Sequence, residues 1–116
     1  MATVCADMIT ISTPLQLAQL KSRPALFILF GAAHCGVCLV IKPRIESLMA
    51  QHFPDIALAY IDCGQYPEIC AQHEVFSLPV TKLYVEGQLC LEMAGSFSLK
   101  ELLAQVERIY RLWKET

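Results

Sequence analysis

The sequence predicts an α/β fold, a three-layer sandwich with a central mixed β-sheet flanked by helices. Three observations carry this. Ala25 to Phe30 is an unbroken apolar run of strand length, as in a strand covered on both faces. Short apolar segments alternate with helical patterns along most of the chain, as when helices cover a sheet. Near the end two strand patterns meet at Glu86-Gly87, and one long amphipathic helix follows.

Met8 to Ile11 reads as the first strand. Thr13-Pro14 supplies an N-cap with proline at the first helical position. Leu15, Ala18 and Leu20 are expected to form the apolar face of that helix, which Ser22-Arg23-Pro24 ends. Ala25 to Phe30 is the second strand, and Gly31 opens a loop. A helix is expected from about Cys35, because Cys38, Ile41, Ile45, Leu48, Met49 and His52 recur at three- and four-residue intervals. Pro43 lies inside it and should kink it. Phe53-Pro54-Asp55 stops it.

Ile56 to Ile61 is the next strand, ending at Asp62. Tyr66 to His73 reads as a short helix begun at Pro67. Val80 to Val85 is a strand, and Leu89, Leu91 and Met93 alternate with polar positions as in a strand with one buried face. Ser98-Leu99-Lys100-Glu101 is a capping box. Leu99, Leu102, Leu103, Val106, Ile109, Tyr110 and Trp113 then make one stripe. The order is β-α-β-α-β-α-β-β-α, in a single domain of residues 1–116.

A chain of 116 residues builds a core without cross-links or metals to support it. With 55% hydrophobic and 17% charged residues it is not a disordered chain. A net charge of −2 gives no grip on nucleic acid or an anionic membrane. The longest strongly apolar run, Ala25 to Ala33, is too short for a spanning helix. Residues Met1 to Asp7 lack the basic start and apolar run of a signal peptide. A cytoplasmic location is therefore expected, with most of the six cysteines (5, 35, 38, 63, 70 and 90) reduced.

Cys35-Gly36-Val37-Cys38 carries the chemistry. A cysteine at a helix N-terminus meets unpaired backbone N–H groups and the positive end of the helix dipole. Its thiolate forms more readily than that of a free cysteine, with a pKa in the range of roughly 3.5–7.5 at such sites. Cys38, one turn on, is near enough to close a disulfide and faces inward with Ile41 and Ile45. One sulfur attacks a substrate disulfide and the other resolves the mixed disulfide.

Zinc sites share the CxxC spacing. The context is more specific: a buried strand, a short loop, CxxC, then a helix with proline five residues after Cys38. Leu78-Pro79-Val80-Thr81 precedes a strand. Asp62 ends another, Gly87 sits in the hairpin turn and Gly95 precedes the last helix. From about Met8 to Trp113 the chain resembles the thioredoxin family. The resemblance implies that Cys35 is the nucleophile and Cys38 the resolving thiol. It implies a cis Pro79, and a substrate groove formed by His34, Gly36, Val37, Leu78, Pro79 and Gly95-Ser96. It implies protein disulfide substrates, an electron donor that is a thiol system or a flavoenzyme, and no bound cofactor.

The departures are also informative. The family's usual Trp before the first cysteine is His34, and a second, three residues earlier, is Gly31. Proline between the cysteines is Val37, and the basic residue after them is Leu39. A buried Asp and its Lys partner correspond to Leu29 and Leu58. Removing one partner alone strands a buried charge at ~3–5 kcal/mol, whereas replacing both by apolar residues is neutral or stabilising. A drier site with slower resolution by Cys38 is expected. His34 tunes Cys35 if its ring turns toward the sulfur and does nothing if it points into solvent.

Cys63, Cys70, Cys90 and Cys5 are expected as small, unpaired, at least half-buried hydrophobes, the alternative for Cys63 and Cys70 being a second disulfide. A metal site from Cys35, Cys38, His34 and His73 is not expected, since no second CxxC or spaced histidine pair completes four ligands. The leading function is a thiol–disulfide oxidoreductase acting as a reductase. The alternative is an adaptor or redox-regulated binding module with little turnover.

Overall fold

The structure is a computed structural model that describes residues 8–95 and 98–115. Its elements follow the predicted order: β1 (Ile9–Thr10), α1 (Pro14–Lys21), β2 (Ala25–Gly31), α2 (Gly36–His52), β3 (Ala57–Asp62), α3 (Pro67–Gln72), β4 (Val80–Val85), β5 (Gln88–Ala94) and α4 (Leu99–Glu115). The sheet order is β1-β3-β2-β4-β5. β1, β3 and β2 are parallel, while β4 and β5 are antiparallel to their neighbours.

The strand alternation sorts two cores. On β2, Leu26, Ile28 and Phe30 pack with Leu17, Leu20, Ile69 and Val75, so α1 and α3 cover that face. Ala25, Phe27 and Leu29 pack with Ile45, Met49, Leu102 and Val106, so α2 and α4 cover the other. Every residue of β2 is buried, as its apolar run requires. Pro43 stands inside α2. Tyr110 and Trp113 pack against the second core, and Phe53 and Tyr110 meet edge to face at 5.1 Å.

Two predicted faces are corrected. In α1, Leu17 and Leu20 are buried, whereas Leu15 is exposed at 68% and Ala18 is exposed. Thr13 fixes the helix start by accepting the Gln16 N–H at 3.1 Å. Leu15 then lies about 200° round the helix from Leu17, on the solvent side. In β5 the register with β4 shifts between Leu83 and Tyr84: Leu83 pairs with Leu91, but Tyr84 pairs with Leu89. Cys90 is the extra residue of a bulge, which interrupts the period of two. Leu91 and Met93 stay half-buried on the α4 side, while Leu89 is 46% exposed.

The topology gathers the chemistry at one end of the sheet. Gly31, the last residue of β2, pairs with Asp62, the last of β3. Phe30 pairs with Val80, the first residue of β4, which in turn pairs with Ala94 at the end of β5. The loops holding Cys35, Cys63, Pro79 and Gly95 all leave from this edge.

Candidate redox site

Cys35 is the N-cap of α2 in extended conformation, and its Sγ accepts the Cys38 N–H at 3.3 Å. No acidic residue occupies the first turn, so nothing cancels the positive end of the helix. Cys35 and Cys38 are joined as a disulfide, with Cα atoms 5.3 Å apart. Their exposure differs: Cys35 is half-buried, and Cys38 is 1% exposed. Gly36 and Val37 are exposed between them.

The Leu78–Pro79 peptide is cis. Pro79 is buried, and its carbonyl accepts the Gly95 N–H at 2.9 Å. Gly95 has φ +75, left-handed backbone that suits glycine. His34, Cys35, Gly36, Val37, Cys38, Leu78, Pro79 and Gly95 thus share one end of the molecule, while Ser96 lies outside the described residues. His34 is exposed, and a methyl group on Gly64 would lie 3.6 Å from its Cε1, so the ring leans toward the loop after β3. Asp62 shapes that loop by accepting the N–H groups of Gly64 at 2.8 Å and Gln65 at 3.1 Å. Behind the dithiol, Leu29 and Leu58 are 0% and 6% exposed.

The expectations that most of the cysteines are reduced and that those outside the CxxC are unpaired are both corrected. Cys63 and Cys70 form a second disulfide, with Cα atoms 5.7 Å apart. The Asp62 turn reverses the chain, and α3, begun at Pro67, brings Cys70 back to Cys63. Cys90 is an exposed free thiol at the bulge, its S–H donating to the Gln88 carbonyl at 3.5 Å. Cys5 lies outside the described residues.

His73, considered above only as a ligand, has other partners. Its Nδ1–H donates to the Ile69 carbonyl at 2.9 Å, and its Nε2 accepts from Lys21 Nζ at 2.8 Å. Lys82, 5% exposed in β4, donates to the His73 carbonyl at 2.6 Å. Burial, with Lys21 and Lys82 nearby, lowers the His73 pKa against the opposing pull of the Ile69 carbonyl. Among the described residues no three His, Cys, Asp or Glu side chains converge as metal ligands. A cleft of about 520 Å³, lined by His52, Phe53 and residues of α4, lies at the far end of α2 from the disulfide.

A mixed five-stranded sheet with a CxxC disulfide at a helix start defines the class of thiol–disulfide oxidoreductases. The thioredoxin family model matches residues 15–108, and the chain belongs to that family. It is 28% identical over 95 residues to the thioredoxin-like protein YdfQ of Bacillus subtilis, covering 82% of this chain and 84% of that one. It is 34% identical over 77 residues to a thioredoxin of Staphylococcus aureus, covering 66% and 73%. The crystal structure of thioredoxin from Trypanosoma brucei brucei superimposes with a TM-score of 0.83 at 21% identity, covering 96% and 97%. No helix among the described residues is long and apolar enough to cross a membrane.

Proposed function

We propose that the protein is a cytoplasmic reductase of protein disulfides, with Cys35 as nucleophile and Cys38 as resolving thiol. The observation that carries this is the asymmetry of the pair: Cys35 is reachable at the N-cap of α2, and Cys38 is buried one turn behind it. The Cys35 thiolate attacks one sulfur of a client disulfide, and the other client sulfur leaves as a thiolate. Cys38 then attacks Cys35, and the first client sulfur leaves in the same way. The client gains two electrons and two protons, and the dithiol becomes a disulfide. A thiol system or a dithiol-recycling flavoenzyme returns the electrons, and no bound cofactor is needed.

His34, Gly36, Val37, Leu78, Pro79 and Gly95 line the client groove. Val37, Leu39 and Val40 at the start of α2 are exposed at 54%, 56% and 60%, and Phe76 before the Leu78–Pro79 peptide at 82%, apolar side chains suited to a polypeptide client. The same side chains suit the alternative, a binding module in which the disulfide is regulatory. Reduction of insulin disulfides by dithiothreitol separates the two. The protein should accelerate it, Cys35→Ser should abolish the acceleration, and Cys38→Ser should accumulate mixed disulfides on Cys35. A wild-type rate no higher than that of Cys35→Ser overturns the reductase and leaves the binding module.

A further inference from the structure

The corner behind Cys38 is shaped by a missing side chain. A methyl group on Gly31 would lie 3.1 Å from Cys38 Cβ, 3.2 Å from Cys38 Sγ and 3.1 Å from Tyr60 Cε1. Contacts that short force a neighbour to move, so glycine at 31 lets both side chains keep their places. The Cys38 sulfur and the edge of the Tyr60 ring therefore border the same small space.

Tyr60 reaches this corner from β3. It pairs with Leu29 across the ladder and points to the face covered by α2, where its half-buried ring packs against the second core. Lys42, one turn beyond Cys38 on α2, places Nζ 5.2 Å from the ring centroid and pairs with Glu46 at 3.5 Å. The other charged or titratable groups around the corner are Asp62 at the end of β3 and His34 and Cys35 in the loop. Leu29 and Leu58 supply neither a counter-charge nor a proton acceptor. An aromatic edge carries partial positive charge, and sulfur makes favourable contacts there.

Resting on the exchange proposed above, we infer that Tyr60 is a positioning residue for resolution: its ring edge holds the Cys38 sulfur and favours the thiolate. In that step Cys38 releases its proton to water and its sulfur bonds to Cys35 Sγ. The bond from Cys35 to the client sulfur breaks, and the client leaves with that electron pair as a thiolate. Burial, and secondarily Asp62, raise the Tyr60 pKa, so its hydroxyl stays protonated at neutral pH and does not act as a base.

The test is stopped-flow reaction of the reduced protein with dithiobis-nitrobenzoate, in a common background with Cys5, Cys63, Cys70 and Cys90 replaced by serine. The first nitrothiophenolate released reports attack by Cys35, and the second reports resolution by Cys38. Tyr60→Leu should slow the second release about two- to tenfold, the range of a sulfur–aromatic contact. It should also raise the pH midpoint of that release and leave the first unchanged. Tyr60→Met serves if the leucine variant does not fold. Tyr60→Phe, which keeps the edge, should stay within about twofold of wild type. An unchanged second release and midpoint in Tyr60→Leu overturns the inference. So does a Tyr60→Phe variant as slow as Tyr60→Leu, because the hydroxyl would then be the acting group. Absence of any mixed disulfide at Cys35 defeats the exchange itself, a different failure.

Discussion

Replacing Leu29 by aspartate tests how dry the space behind the dithiol is. Leu29 is 0% exposed, on the α2 face of β2. Losing its burial removes ~2 kcal/mol. An aspartate there folds as the neutral acid, whereas the unfolded chain is ionised above its ordinary pKa of ~3.9. At pH 7 that difference adds about 4 kcal/mol, and at pH 5 roughly 1.5 kcal/mol. The folded pKa is raised, so the unfolded state releases its proton first as pH rises, and the penalty grows from pH 4 toward pH 7. Urea denaturation should give Leu29→Asp a deficit of ~6 kcal/mol at pH 7 and ~3.5 kcal/mol at pH 5, relative to wild type at each pH. Leu58, diagonal to Leu29 across the β2–β3 ladder, is the site for a compensating cation. Leu29→Asp with Leu58→Lys should recover part of the loss at pH 7. Equal deficits at the two pH values, or a loss under ~2 kcal/mol, would mean that water reaches the carboxylate and refute the dry site.

Two further outcomes follow from the structure. The Cys63–Cys70 disulfide closes a loop of about eight residues, so Cys63→Ala with Cys70→Ala should lower stability by at most ~2.5 kcal/mol by chain entropy. Denaturation with and without the pair checks this, and no change would contradict a bond formed in the native state. The His73 pKa is lowered by burial first, and Lys21 and Lys82 add to it. The unfolded state therefore takes up a proton first as pH falls below about 6.5, and folding stability declines there. His73→Gln, which keeps a donor and an acceptor, should flatten the decline between about pH 6.5 and 5.5, and an unchanged slope would remove His73 from the cause.

The fold was legible because its signals are periodic. The buried β2 run, the proline starts of α1 and α3 and the α4 stripe each specify an element locally, and Ser98 caps α4 as predicted, accepting the Glu101 N–H at 3.3 Å. Errors came where three dimensions decide. Leu15 and Leu17 both look apolar along the chain, and only the helix start set by Thr13 fixes which one is buried. The bulge at Cys90 leaves no mark in the alternation of Leu89, Leu91 and Met93. The CxxC pair is readable because three residues span one helical turn. A separation of seven is not, because the approach of Cys63 and Cys70 depends on the turn that Asp62 builds. The sequence marks Tyr60 only as a strand residue. Gly31 leaves room beside the Cys38 sulfur, but which side chain borders that room is decided by the β2–β3 register, which the sequence does not display.

Iodoacetamide labelling of the reduced, folded protein at pH 7, resolved by site with mass spectrometry, asks whether position 35 holds a reactive thiolate. Cys35 should be modified well ahead of Cys38, and mild reoxidation of unlabelled protein should return the bond between them. A Cys35 that reacts no faster than Cys38, or two sulfurs that stay apart under oxidation, would contradict a redox centre at the start of α2.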